Sequence, residues 1–390
     1  MTFTMNLAGS YTLCPGMTPS IHGHRPVLGH GILGRLLRGQ QGALVERTLG
    51  QVFTLCAHAH RRTARLALNA AHPRQETPLP IEPPVFLWLE TARDHLRSIA
   101  MDWPQRQTGR EAEPEPLDWL RSCPISLRVV ARETQEKQAW DALGQLRHWL
   151  EDHLLGEPLD RWFTHHHEPE ALGLWCRVHA ANLFPAKTLH TWYAMARELV
   201  PATRPLDVLD ANPAQQFTAM NDMAQAMLGS AHFVQYPTWL GQCAETGPWT
   251  RLRYRHKSGT AIPTAWTRLS ARWIELLEIA AIQPPGPVEH LPPLLASGAQ
   301  YLGEGQAIAW CEMARGLLLH WVQLDELGRV QDYRVLAPTE WNFHPDGALA
   351  QTLSSLPAHD TQSAWALAAA FDACVACQVS APAPSEETHA

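Results

Sequence analysis

Long apolar runs are missing from this sequence: across its 390 residues nothing approaches the ~18 consecutive apolar residues of a membrane-spanning helix, so no membrane role is read. Charge is scarce as well. Asp, Glu, Lys and Arg together make up 18%, with a formal net charge of −7. A nucleic-acid surface needs Lys and Arg gathered into patches, and none gathers here, so nucleic acid is excluded as a partner. The N-terminal MTFTMNLAGSYTLCPGM has no basic segment ahead of an apolar one. No secretion signal is read there, and the cytoplasm is the expected compartment. Internal repeats are absent too.

What is present supports a sizeable core, since 45% of the residues are hydrophobic. The length suits one large domain or two ordinary ones. The 16 Trp and 31 Pro suggest a Trp-rich interior crossed by irregular connections. Eight cysteines stand at positions 14, 56, 123, 176, 243, 311, 374 and 377. In a cytosolic chain they are expected to be mostly reduced, and the single ones read as small buried hydrophobes.

Periodicity predicts the following elements. Residues 1–35, rich in Gly, Pro and His, read as loop or short strands. A long helix is predicted over 43–70, where Leu44, Leu49, Val52, Phe53, Cys56 and His60 recur at helical spacing. Further helices are predicted over 84–100, 135–155, 185–200 and 213–229. The clearest amphipathic helix is 264–282, with Trp266, Leu269, Trp273, Leu276 and Leu277 on one side. The stretches 104–124 and 283–293 read as loops. Gly316–Leu324, a turn at Asp325–Gly328 and Arg329–Leu336 give a hairpin signal. Residues 361–377 read as an Ala-rich helix ending in a cysteine pair, and 378–390 as a disordered tail. His165-His166-His167 reads as an exposed polar loop, and Cys14-Pro15-Gly16 as a turn.

Two cysteine sites carry candidate chemistry. Within Cys56-Ala57-His58-Ala59-His60, helical spacing lets Cys56 and His60 share a face. In Cys374-Val375-Ala376-Cys377, a two-residue spacer lets both thiolates converge on one soft or borderline metal. On spacing alone both sites stay ambiguous. A single C-x-x-C can be incidental, and Cys56 with His60 can be a buried thiol and an ordinary imidazole.

The neighbouring residues resemble a known family. Glu312-Met313-Ala314-Arg315-Gly316-Leu317-Leu318-Leu319-His320 resembles the E-x-P-R-G-x-L-x-H segment of nickel–iron hydrogenase large subunits. Tyr333 to Asn342, ending Pro338-Thr339-Glu340-Trp341-Asn342, is similar to that family's Y-x-x-x-x-P-T-T-W-N. Phe371-Asp372-Ala373-Cys374-Val375-Ala376-Cys377 resembles its F-D-P-C-x-x-C. A weaker likeness aligns Gln51–His60 with R-I-C-G-V-C-P-x-x-H, and residues 100–300 show none. Ile21-His22-Gly23-His24 only echoes the family's I-E-G-H, with shorter spacing to Cys56 and no relay Glu, and is read as coincidence.

The resemblance implies an α+β, mainly helical fold like that of the large subunit but smaller, spanning residues 1–377 as one domain. Helices would bring the two cysteine segments together beside the hairpin. It implies that Cys56 and Cys377 occupy positions bridging nickel and iron, and Cys374 a nickel-terminal one. Phe53 stands where the other nickel-terminal Cys would be, so nickel is not expected. Ser380 replaces the His at which precursors are trimmed.

These traits resemble the HupK/HoxV-type hydrogenase maturation proteins. That family implies a non-catalytic scaffold for iron bearing cyanide and carbonyl ligands, working with hydrogenase maturation factors and the hydrogenase large subunit. By resemblance Arg315 would donate hydrogen bonds to the cyanides, Asp372 would hold Arg315, and His60 would donate to a bridging sulfur. The ordinary alternative for Arg315 and Asp372 is a surface ion pair. Two other functions stay open: a degenerate hydrogenase subunit with redox activity, and a structural zinc site of Cys56, His60, Cys374 and Cys377.

Overall fold

A computed structural model describes residues 8–380, apart from 29–30, 73–76, 109–117, 126–134, 210–211, 231, 256–262 and 284–293. The fold is α+β and mainly helical. Its strands are β1 (Ser10–Leu13), β2 (Ile21–His24), β3 (Ser297–Gly303), β4 (Gln306–Met313), β5 (Gly316–Leu324), β6 (Val330–Leu336) and β7 (Ala376–Val379). They form two sheets, β2-β1-β7 and β3-β4-β5-β6.

The predicted hairpin is the β5–β6 half of the larger sheet, whose pairs are all antiparallel. Its turn is fixed by Asp325, whose Oδ1 accepts from the backbone of Leu327 and Arg329. Alternation sorts the two faces of this sheet. Ala307, Ala309, Cys311, Leu318 and Val322 pack against the helix Ala57–Ala71. Ile308, Leu317, Leu319, Trp321 and Leu336 pack against Met220, Met223 and Met227 of the helix Pro213–Gly229. With both faces covered, β5 is buried along nearly its whole length.

The rest of the core is helical. Trp162, Trp175 and Trp273 meet with ring centroids 5.8–6.3 Å apart. The helix Ala265–Ala281 runs through this body, started by a capping box between Thr264 and Thr267. It is buried on every side rather than amphipathic. Its charged residues are consumed by ion pairs: Arg268 with Glu245, Arg272 with Asp372, and Glu275 with Arg251 and His95.

Three predictions are corrected. The 43–70 helix is two helices, Ala43–Val52 and Ala57–Ala71, broken over Phe53–Cys56. Glu90 carboxylate oxygens accept from the backbone N–H groups of His58 and Ala59, 2.7 and 2.9 Å away, and so cap the second helix. Periodicity cannot see such a tertiary cap. The 361–377 helix stops at Phe371, because Asp372 turns into the left-handed region at φ 48°. The chain then becomes β7, parallel to β1, with Cys377 opposite Tyr11. Strand pairing therefore overrides the Ala-rich propensity and also takes in Gln378 and Val379, which were assigned to the tail; residues 381–390 lie outside the described part. His165 and His166 end the helix Leu159–His166 rather than forming a loop.

Of the predicted loops, 104–108 belongs to the helix Trp103–Thr108 and 118–122 to a 3-10 turn. The remainder, 109–117, and nearly all of 283–293 lie outside the described residues.

Candidate functional site

On the helix Pro84–Arg97, the charged residues Glu90, Arg93 and Asp94 are buried. Spaced i, i+3 and i+4, they face one way. Glu90 caps the helix that begins after Cys56. Arg93 donates from Nη2 to the Leu55 carbonyl at 2.7 Å. Asp94 accepts from Arg315 Nη1 at 3.1 Å. One helix therefore sets both the Cys56 backbone and the Arg315 side chain. Beyond Arg97 the helix continues as a π-helical turn, Ser98–Asp102. Such turns shift the register of a helix face, and here Ser98 Oγ donates to Asp372 Oδ2 at 3.3 Å.

Arg315 sits in the tight β4–β5 turn. Gly316 has φ 133°, and a Cβ there would fall 2.6 Å from the Thr246 side chain, so only glycine fits. The Pro338–Asn342 segment, which forms a short helix, braces the turn. Asn342 Nδ2 donates to the Thr246 carbonyl at 2.8 Å, and its Oδ1 accepts from Thr246 N at 3.0 Å. Thr246 Oγ1 in turn accepts from Leu317 N. In the same segment, Thr339 Oγ1 donates to Cys374 Sγ at 3.2 Å. Glu340 faces Arg25, whose Nη1 lies 3.4 Å from both carboxylate oxygens.

Asp372 is a hub. Its carboxylate lies 3.2 Å from Arg272, 3.3 Å from Arg315 and 3.6 Å from Arg106. These cations outweigh the effect of burial and hold its carboxyl down at about 2. The Arg315–Asp372 pair is thus buried, not a surface pair. It is also incompletely satisfied: Arg315 Nε and Asp372 Oδ1 make no hydrogen bond. Breaking a buried network of this kind costs far more than losing a surface pair.

The three thiols are placed unequally. Cys56 is buried at the start of its helix; burial raises its thiol pKa, as do Cys374, Glu90 and Asp94, while Arg315 opposes them. Cys374 and Cys377 are half-buried. They line one cavity of about 480 Å³ with Leu55, Arg97, Asp102, Arg106 and Arg315. Burial pushes Cys377 up to about 11, and its charged neighbours are Arg106 and Asp372. The fold therefore gathers Cys374, Cys377 and Arg315 around one cavity, which Leu55 also lines; Cys56, the next residue, is buried and is not part of that lining. Among the described residues, no group of three or more His, Cys, Asp or Glu side chains is set to hold a metal ion as it stands.

His60 faces the sheet. Its Nδ1 lies 3.0 Å from His320 Nε2, and His320 Nδ1 lies 2.7 Å from the Tyr333 hydroxyl. Burial depresses both imidazoles, His320 to about 3, so both stay neutral. The His60 ring stacks on Phe53 at 3.8 Å.

Sequence reasoning brought Arg315, Asp372, Cys374 and Cys377 to one neighbourhood, and the structure places them so. It missed Arg25, Glu90, Arg93, Asp94, Arg106 and Arg272. The available signal was charge inside apolar helices, at 90, 93 and 94 and again at 268, 272 and 275. Arg25 follows β2, the segment read as a coincidental echo. Cys14 starts the turn between β1 and β2, its N–H donating to the Ser20 carbonyl, and takes no part in the site.

The chain has relatives among known proteins. The model of the nickel-dependent hydrogenase family matches residues 295–380. The chain is similar to the hydrogenase expression/formation protein HoxV of Cupriavidus necator, with 38% identity over 96% of each chain. It is also similar to the hydrogenase expression/formation protein HupK of Rhizobium leguminosarum bv. viciae, with 27% identity over 89% of each. Among solved structures, the NAD+-reducing NiFe-hydrogenase in the H2-reduced state aligns over 91% of this chain and 92% of its own, with 13% identity and a TM-score of 0.48.

Proposed function

The chain belongs to the HoxV/HupK family of hydrogenase expression/formation proteins, and from that premise we propose that it is a non-catalytic scaffold that transiently holds the iron–cyanide–carbonyl unit for a hydrogenase large subunit. The iron is cargo. Its cyanides accept hydrogen bonds, and in a buried pocket they need donors. Arg315 supports the reading: its guanidinium is buried and lines the cysteine cavity. The carrying observation is that this guanidinium stands where the Cys56 and Cys374 segments meet.

In this reading Cys56 and Cys377 are the iron ligands, Cys374 is a neighbouring thiol, and Asp94 and Asp372 aim Arg315. Missing the thiolate replaced by Phe53, the site grips one metal and can give it up. Hydrogenase maturation factors would load it and the hydrogenase large subunit would receive the cargo, in the cytoplasm. No helix among the described residues is long and apolar enough to cross a membrane.

The test is iron content of protein isolated anaerobically from cells making the maturation machinery. Cys56→Ala and Cys377→Ala should lose the iron, and Cys374→Ala should retain part of it. Full retention in both of the first two variants would overturn the ligand assignment.

A further inference from the structure

The cysteine cavity is lined by more cation than its ion pairs consume. Arg97, Arg106 and Arg315 all line it, against one acid, Asp102. The arginines grade inward: the side chain of Arg97 is 35% exposed, that of Arg106 12% and that of Arg315 3%. Arg315 is committed to Asp94 and Asp372. Arg106 spends only Nη1, which donates to the Ala368 carbonyl at 3.0 Å and lies 3.6 Å from Asp372. Asp372 is shared among three arginines and cannot neutralise each of them. Arg97 comes no closer than 4.0 Å to Asp102, beyond hydrogen-bond distance.

The backbone is bent to make this arrangement. In an unbroken α-helix, residues nine apart, such as Arg97 and Arg106, point about 180° away from each other. Between them stands the π-helical turn Ser98–Asp102, which resets the register before the helix Trp103–Thr108 begins. Both side chains then reach the same cavity. Turns of this kind are frequent at functional sites.

We propose that Arg97 and Arg106 form the anion-recognising wall of this cavity, taking a linear anion of the cyanide class by its terminal nitrogen. The inference rests on the cargo reading and deepens it. Each cyanide and each thiolate around ferrous iron brings a negative charge, and Arg315, already paired, leaves that charge poorly balanced in a partly buried cavity. Guanidinium N–H groups stay charged and suit the accepting ends of cyanides. A purely structural Arg106, bracing the last turn of the helix Thr361–Phe371 through Ala368, predicts lost stability on replacement and no change in anion affinity. Arg97 has no short contact of that kind among the described residues.

Thiocyanate is the probe, because it is linear, accepts hydrogen bonds at nitrogen and reports binding through its C≡N stretch. Titrated into the reduced, metal-free full chain in chloride-free buffer, it should bind saturably with a shifted infrared band. Arg106→Gln should weaken binding about tenfold, the worth of one charge-assisted hydrogen bond. Arg97→Gln should fold like the parent and weaken binding less, and the double variant should abolish it. Arg161→Gln, at an exposed position off this cavity, should match the parent. If Arg106→Gln does not fold, Arg97→Gln carries the test. The proposal is overturned if the parent shows no saturable binding, if Arg97→Gln leaves binding unaltered, or if Arg161→Gln weakens it equally. Iron content reads the cargo separately. Arginine-dependent thiocyanate binding in a chain that never carries iron would keep the anion wall and sink the cargo reading.

Discussion

In the helical body between residues 136 and 281, Trp162, Trp175 and Trp273 pack ring against ring, and their indole N–H groups go without hydrogen-bond partners. In the segment 295–380, buried polar groups are cross-linked: Arg315 to Asp94 and Asp372, Asn342 to Thr246, His320 to His60 and Tyr333. The body is held by burial: the large apolar area that the rings bring outweighs the cost of leaving their N–H groups unpaired. The site segment is held by directional bonds, which tolerate little displacement. The helix Ala265–Ala281 belongs to both, with Trp273 in the body and Arg272 reaching Asp372. It is the rigid element that carries packing force to the pocket.

Four substitutions and one change of condition separate the two regions. Asp372→Ala should have the largest effect, about 3–5 kcal/mol in urea denaturation, because three guanidiniums lose a shared buried carboxylate. Trp273→Ala should cost a similar amount, about 3–5 kcal/mol, by leaving a cavity. Iron content, measured where both variants are folded, should fall for Asp372→Ala and hold for Trp273→Ala. Equal loss in both would erase the distinction between packing and site.

Acid should act next, and through the cross-linked region. His60 and His320 are depressed in the fold, so below the ordinary histidine value the unfolded chain binds protons the native one refuses. Their contribution is complete above that value and is lost as pH falls toward the folded one. His320 alone should cost about 2 kcal/mol between pH 7 and pH 5. Asp372 adds a further loss only below the ordinary carboxylate range, as pH approaches its folded value of about 2. His320→Gln should flatten the upper part of the stability–pH curve, and an unchanged slope would show that the titration lies elsewhere. The smallest effect is expected at His165, which is exposed on the body's surface. His165→Ala should shift stability by under about 0.5 kcal/mol and leave metal content unaltered.

The two regions were also unequally legible. Motif residues of the site carry chemistry in their identity: an Arg before a Gly in a tight turn, an Asn after Pro-Thr-x-Trp, a Cys pair after Phe-Asp. Order along the chain was enough to bring Arg315, Asp372 and Cys374 together. Helices of the body were legible as periodicity, and 213–229 and 265–281 fall where the pattern puts them. What stayed hidden was tertiary. Glu90 breaks the 43–70 pattern by capping a helix from a distance. Strand β1 captures Ala376–Val379 and ends the Ala-rich helix early. Arg272 and Glu275, on the helix read as amphipathic, find their partners across the core. None of these has a local signal, because in each case the deciding partner is remote in sequence.

In the proposed function, Cys56, Arg315 and the Cys374–Cys377 segment together hold iron carrying diatomic ligands. Infrared spectroscopy tests it most directly, on protein purified without oxygen from cells that make the full maturation machinery. The account predicts cyanide and carbonyl stretching bands in the parent chain that vanish in Cys56→Ala. A folded parent chain with no such bands and about one equivalent of zinc would contradict it.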